Sequence, residues 1–113
     1  MFKIDIILPY KELFSSNGAS AVSISVKNSI IKSKFKKNIN VYGQFVRTPF
    51  SDINFNGFYA NKIIHLSNNL SILKQYLKKT KTDKTKKIIE IHNRPYLLNH
   101  LLKKKIKQCV VLY

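Results

Sequence analysis

The sequence predicts an α/β fold, a partial doubly wound, mostly parallel sheet with flanking helices, and three observations lead there. Apolar runs at residues 2–8, 86–91 and 108–113 lack the strict polar–apolar alternation of a one-sided sheet and suit strands covered on both faces. Segments whose apolar residues recur at helical spacing lie near 21–33, 70–79 and 96–106. Strand and helix patterns therefore alternate along the chain, the order from which parallel sheets are wound.

In chain order, FKIDIIL (2–8) is the first strand, closed by Pro9 and Tyr10. The loop KELFSSNGAS follows: Ser15, Ser16, Asn17 and Gly18 are turn formers, Gly18 accepts positive φ, and Ser20 can cap the next helix. Val22, Val26 and Ile30 recur every fourth residue and give that helix one apolar face. Residues 35–38 form a basic turn, and NVYGQF (40–45) is a second strand that Gly43 weakens.

Residues 47–62, RTPFSDINFNGFYANK, are the least regular. Within them Ile53, Phe55 and Gly57-Phe58 suit a short strand or a hairpin, and 63–66 suit another strand. Ser67, Asn68 and Asn69 are alternative caps for a helix marked by Leu70, Leu73 and Leu77 and running to about Lys79. Residues 78–87, KKTKTDKTKK, read as a solvated basic connector.

The next stretch, KKIIEIHNRP (86–95), organises the chain. Ile88, Ile89 and Ile91 are β-branched and make a buried strand; Asn93 can cap a helix and Pro95 suits its first turn. His92 and Arg94 then fall in a strand-to-helix loop at the carboxyl end of the strand, where open parallel sheets bind ligands. Leu97, Leu98, Leu101, Leu102 and Ile106 define the helix, Lys103, Lys104 and Lys105 suit its carboxyl end, and QCVVLY (108–113) is a further strand.

At 113 residues the chain is one domain or part of a larger one, and 44% hydrophobic with 12% aromatic content is that of a folded core. The formal net charge is +16, from 21 basic and 5 acidic residues, and only Arg47 and Arg94 are arginines. Such a surface attracts polyanions weakly, so weak contact with an anionic membrane surface is expected. Specific nucleic-acid recognition is not, because no reading motif accompanies the charge. The single cysteine, Cys109, excludes an internal disulfide, fits a reducing compartment, and lies in an apolar run as a buried thiol. The apolar run at 4–8 is too short for a signal peptide core, and no run approaches the roughly 20 apolar residues of a membrane span. The expected location is cytoplasmic, peripheral at the inner face of the membrane.

Two places could carry chemistry. In the loop 14–20, small residues before a helix let backbone N–H groups approach a phosphate or sugar hydroxyl, although the spacing matches neither G-x-G-x-x-G nor G-x-x-x-x-G-K-[ST]. At residues 92–94, His92 can act as a general base or bond a hydroxyl, and Arg94 can pair with a carboxylate or phosphate. His65 and His100 have less context. No Cys/His cluster suggests zinc and no close carboxylate pair suggests a hydrolase; Asp5 and Glu90 lie within strands as sheet-edge or core-network residues.

Two segments together resemble the amino-terminal domain of family 4 glycosyltransferases, enzymes of the GT-B type with two Rossmann-like domains. IDIILPYKELFSSNGASAVSISVKNSI is similar to that family's opening strand, its loop of phenylalanine, serine, small residues and glycine, and its first helix. IIEIHNRPYLLNHLLKKKIKQCVVLY resembles the strand ending in His-Asn-Arg-Pro, the helix after it and the start of the next strand. The resemblance implies glycosyl transfer from a nucleotide-activated sugar to a polysaccharide or lipopolysaccharide-type acceptor. The donor would be a co-substrate rather than a tightly bound cofactor. On that analogy Asn17, Gly18 and Ala19 line the interdomain cleft near the donor phosphates, Asn93 and Arg94 bind substrate, and His92 is the candidate catalytic residue. The family's loop often has paired glycines, whereas here Ala19 follows Gly18.

The resemblance further implies that residues 1–113 are an incomplete amino-terminal, acceptor-side domain lacking the donor-binding carboxyl-terminal domain, and that this chain alone is inactive. A different expectation comes from the charge alone: a small basic α/β module that binds polyanions, either nucleic acid or an anionic membrane surface.

Overall fold

The computed structural model describes residues 2–59, 67–92 and 99, and the backbone of 109–112. Five strands form one parallel sheet: β1 (Phe2–Ile7), β2 (Ile39–Gln44), β3 (Asn54–Phe58), β4 (Lys86–Ile91) and β5 (Cys109–Leu112). Their order is β3-β2-β1-β4-β5. Helix α1 (Ala21–Lys32) joins β1 to β2, and α2 (Asn68–Thr80) precedes β4. The expected doubly wound, Rossmann-like α/β fold is the one observed.

Alternate strand residues sort into two apolar layers, as the strand period of two requires. Ile6, Leu8 and Val41 meet Phe14, Val26 and Ile30 on the α1 side. Ile7, Tyr42, Ile89 and Ile91 meet Ile72, Leu73 and Tyr76 on the α2 side. Both faces of the central strands are thus covered, which is why they read as nearly continuous apolar runs. Both helices begin at serine caps: Ser20 Oγ accepts from Ser23 N–H at 3.2 Å, and Ser67 Oγ from Leu70 N–H at 3.0 Å. Of the three alternative caps for α2, Ser67 is the one used, so that helix starts earlier than its leucine spacing suggests.

The irregular stretch resolves into β3, which is parallel to β2 rather than half of a hairpin. Parallel neighbours usually need a crossover of a dozen or more residues, most often a helix. Here residues 45–53 cross without one. Phe50 and Ile53 pack into the α1 layer, and Phe50 meets Phe14 edge-on at 4.9 Å, so side chains from a loop do the covering. Gly43 and Gly57 are register partners. A Cβ on Gly57 would stand 2.8 Å from Phe45 Cα, so the glycine permits a close backbone approach.

The buried carboxylate Asp5 belongs to the core network expected of it, accepting from Tyr76 Oη at 2.6 Å and from Asn40 Nδ2 at 3.2 Å. The strand expected at 63–66 lies outside the described residues, as does the helix expected at 96–106 apart from Asn99, which is helical. Cys109 opens β5, as its apolar run suggested.

Candidate functional site at the carboxyl edge of the sheet

The strand order fixes where a ligand crevice belongs. From β1 the chain moves outward through α1 to β2 and β3, then returns by way of α2 to β4 on the other side of β1. The winding reverses between β1 and β4, and in open α/β sheets ligands bind outside the carboxyl ends of the strands at that reversal. The register Ile7↔Ile91 sets the first residues beyond the two strands, Leu8 and His92, side by side.

The loop after β1 is pinned at several points. Tyr10 N–H donates to Asn69 Oδ1 at 2.6 Å at the start of α2, and Lys11 N–H donates to Gln44 Oε1 at 3.0 Å at the end of β2. Lys11 has φ 74°, a backbone conformation costly for a residue with a Cβ. Farther along, Phe14 and Ser15 are buried. Phe14 stacks on Phe55 at 5.4 Å, while Ser15 Oγ donates to the Thr48 carbonyl at 2.7 Å and accepts from Asn17 N–H at 3.2 Å. The phenylalanine-serine pair of this loop is therefore structural.

Asn17 and Gly18 are exposed and Ala19 is half-buried just ahead of the Ser20 cap. Gly18 has φ 82°, and a Cβ there would meet only Leu13 Cδ1, at 3.7 Å, so the turn rather than crowding calls for glycine. The bridge between Ser15 and Pro49 holds this tip over the β2–β3 side of the edge. His92 lies on the β4 side, and no hydrogen bond among the described residues joins the two. Asn93 and Arg94 lie outside the described residues.

His92 continues the alternation of β4, so its side chain shares a face with Glu90. His92 Nε2 stands 3.7 Å from Glu90 Oε1, close enough for an ion pair and too long for a direct hydrogen bond. Among the described residues its Nε2 is buried without a hydrogen-bond partner. The imidazole, as a neighbouring donor and positive charge, holds the Glu90 carboxyl below the usual range against the opposing effect of burial.

Glu12, in the loop after β1, presents a second such atom: among the described residues its buried Oε2 has no hydrogen-bond partner. Each of these two atoms belongs to the segment that follows one of the two central strands. Glu12 was not legible in the sequence, because nothing in its neighbours distinguishes it from a solvated loop acid. Glu90 was legible as a neighbour of His92 by the period of two alone.

The same edge carries an exposed aromatic pair, Phe45 beyond β2 and Tyr59 beyond β3, stacked with centroids 4.8 Å apart. A groove of about 550 Å³ lies beside the loop tip, lined by Ser16, Lys27, Lys36, Thr48 and Asp52 among others. It flanks α1 and does not include His92. No group of three or more His, Cys, Asp or Glu among the described residues is placed to hold a metal ion. In comparisons with known proteins, the chain matches no family model, no curated protein and no solved structure.

Proposed function

We propose that this chain supplies the acceptor-side wall of a glycosyl-transfer site, in which a sugar passes from a nucleotide diphosphate donor to a hydroxyl of a polysaccharide or lipopolysaccharide-type acceptor. The observation that carries this reading is the buried Nε2 of His92 at the winding reversal, which makes no hydrogen bond among the described residues, on the strand end whose His-Asn-Arg-Pro sequence resembles that of family 4 glycosyltransferases. In the reaction the bond from the sugar anomeric carbon to the diphosphate breaks and one to the acceptor oxygen forms. His92 takes or shares the acceptor's proton, with the Glu90 carboxylate 3.7 Å from its Nε2. Glu12 Oε2 accepts a hydrogen bond from a sugar hydroxyl, and the exposed Phe45–Tyr59 pair offers apolar ring faces for a pyranose.

Charge on a leaving diphosphate needs stabilising groups from the opposite side of a cleft, so the 113-residue chain alone is inactive on this reading. It works in the cytoplasm, peripheral to the inner face of the membrane, where lipid-linked acceptors are met. Among the described residues no helix is long and apolar enough to cross a membrane.

The test is a fusion of this chain to a donor-binding carboxyl-terminal domain of a family 4 glycosyltransferase, assayed for transfer of labelled sugar to a lipid extract. Transfer by the fusion and not by the parent chain is expected, with His92→Ala lowering kcat by about 10²–10⁴-fold. A folded fusion whose turnover ignores His92→Ala would return the histidine to a structural role. The second reading, a polyanion-binding module, is favoured by the absence of any acidic residue from 13 to 51. It predicts steeply salt-dependent binding that ignores nucleotide sugars.

A further inference from the structure

One face of the molecule takes no part in the carboxyl-edge site. On α1, Ile24 and Ile31 are 45% and 51% exposed. Two helical turns separate them, about 10 Å, so they share one stripe, opposite the buried Val26 and Ile30. Phe35, just past the helix end, is 41% exposed between Lys34 and Lys36. Lys32, Lys34 and Lys37 are exposed around these apolar groups, and Lys27 and Lys36 are half-buried. From 13 to 51 the chain holds six basic residues and no acidic one. The first acid beyond, Asp52, lines the groove with Lys27 and Lys36, and among the described residues no acid forms an ion pair with Lys32, Lys34 or Lys37.

We propose that α1 and the 3-10 turn after it (Lys36–Asn38) form a docking face for an anionic lipid bilayer. Ile24, Ile31 and Phe35 enter the boundary between headgroups and acyl chains, and Lys32, Lys34 and Lys37 meet the lipid phosphates. Charge complementarity selects an anionic partner, and the apolar stripe selects a bilayer over a nucleic acid. Three exposed apolar side chains gain burial in a membrane interface and gain nothing along a phosphate backbone. The face also lacks arginine, the side chain best suited to forked phosphate and base contacts. A bilayer on α1 leaves the carboxyl edge of the sheet open beside the membrane. The proposal rests on the peripheral location given above and is independent of the transferase chemistry.

The full chain would be sedimented with phosphatidylcholine vesicles, with and without phosphatidylglycerol, across a salt series. Binding to the anionic vesicles alone is expected, weakening with salt, with each of Lys32→Gln, Lys34→Gln and Lys37→Gln costing about fivefold. The triple change Ile24→Ser, Ile31→Ser, Phe35→Ser should weaken binding at unchanged charge, and a circular dichroism melt verifies that it folds. No binding to anionic vesicles would overturn the peripheral location together with the face; binding that survives both sets of changes would overturn the face alone. Tighter binding to a single-stranded oligonucleotide at the same salt, unaffected by the triple change, would assign the lysines to nucleic acid instead.

Discussion

Tyr76 donates its phenolic hydrogen to Asp5 across 2.6 Å, inside the apolar layer between α2 and the sheet. Both residues are essentially without solvent exposure, and Asn40 Nδ2 supplies a second donor to the carboxylate. A buried carboxylate is costly unless its oxygens are bonded, so the phenol helps to make an acid tolerable in the middle of β1. Tyr76→Phe keeps the ring and removes the donor. It should cost about 1–3 kcal/mol in urea unfolding, as the price of a polar group left short of a partner. A loss below a few tenths of a kcal/mol would mean that Asn40 alone suffices.

Tyr42 packs edge-on against Tyr76 at 4.7 Å in the same layer. Burial first, then the charges of Asp5 and Asp83, push its phenol up to about 12. A group whose folded pKa is raised stabilises the fold fully below its unfolded value, about 10 for tyrosine, and that contribution disappears as pH rises through 12. In an absorbance titration, wild type minus Tyr42→Phe should show no phenolate signal near pH 10 while the chain is folded. A normal phenolate step there would contradict the burial.

Gly57 and Gly43 face each other across β2 and β3, yet the two sites differ. At Gly57 a Cβ would press on the Phe45 backbone at 2.8 Å, whereas at Gly43 it would press on the Leu8 side chain at 3.3 Å. A contact at 2.8 Å forces the backbone to shift against the ladder, whereas at 3.3 Å Leu8 Cβ has to give by only a few tenths of an ångström. Gly57→Ala should therefore destabilise by about 1–3 kcal/mol and Gly43→Ala by less, measured as shifts in urea midpoint. Equal effects would point to backbone entropy rather than crowding.

How much of this was legible in the sequence follows from which signals are local. The buried strands, α1 and both serine caps are written in short-range patterns: apolar runs, a spacing of four, a hydroxyl before a helix. In residues 47–58 a short strand or a hairpin was legible, but not its parallel pairing with β2, which comes from contacts distant in sequence. Phe14 takes Phe50 and Phe55 into its layer, and Gly57 is glycine because of Phe45. His92 was legible at the carboxyl edge because a polar residue ended an apolar run. That His92 Nε2 and Glu12 Oε2 are buried with no hydrogen-bond partner among the described residues depends on tertiary surroundings that no spacing encodes.

Ser15 ties the loop after β1 to the β2–β3 connection through the Thr48 carbonyl. It is 3% exposed and also accepts from Asn17 N–H, so its hydroxyl serves two segments at once. Ser15→Ala leaves both groups short of a partner and should cost about 1–3 kcal/mol. The local signature is faster hydrogen exchange at the Asn17 and Phe50 amides, since Phe50 N–H bonds the Phe14 carbonyl at 3.2 Å next to the lost tie. Unchanged exchange at both would show that the aromatic packing holds the loop alone.

Glu90 reports on the site through its titration. The His92 imidazole, as a neighbouring donor and then by charge, holds the half-buried carboxyl below its usual range while burial pulls the other way. Removing the imidazole in His92→Ala leaves burial unopposed, so the Glu90 pKa should rise to the ordinary carboxylate range or above it, followed by NMR of its side-chain carboxyl. A carboxyl with a depressed folded pKa adds stability above its unfolded value, about 4.3 for glutamate, and loses it as pH falls through the folded value. The wild type should therefore lose this increment on acidification, and His92→Ala should lack it at neutral pH. A Glu90 titration that does not move in His92→Ala would show that the 3.7 Å approach carries no electrostatic coupling.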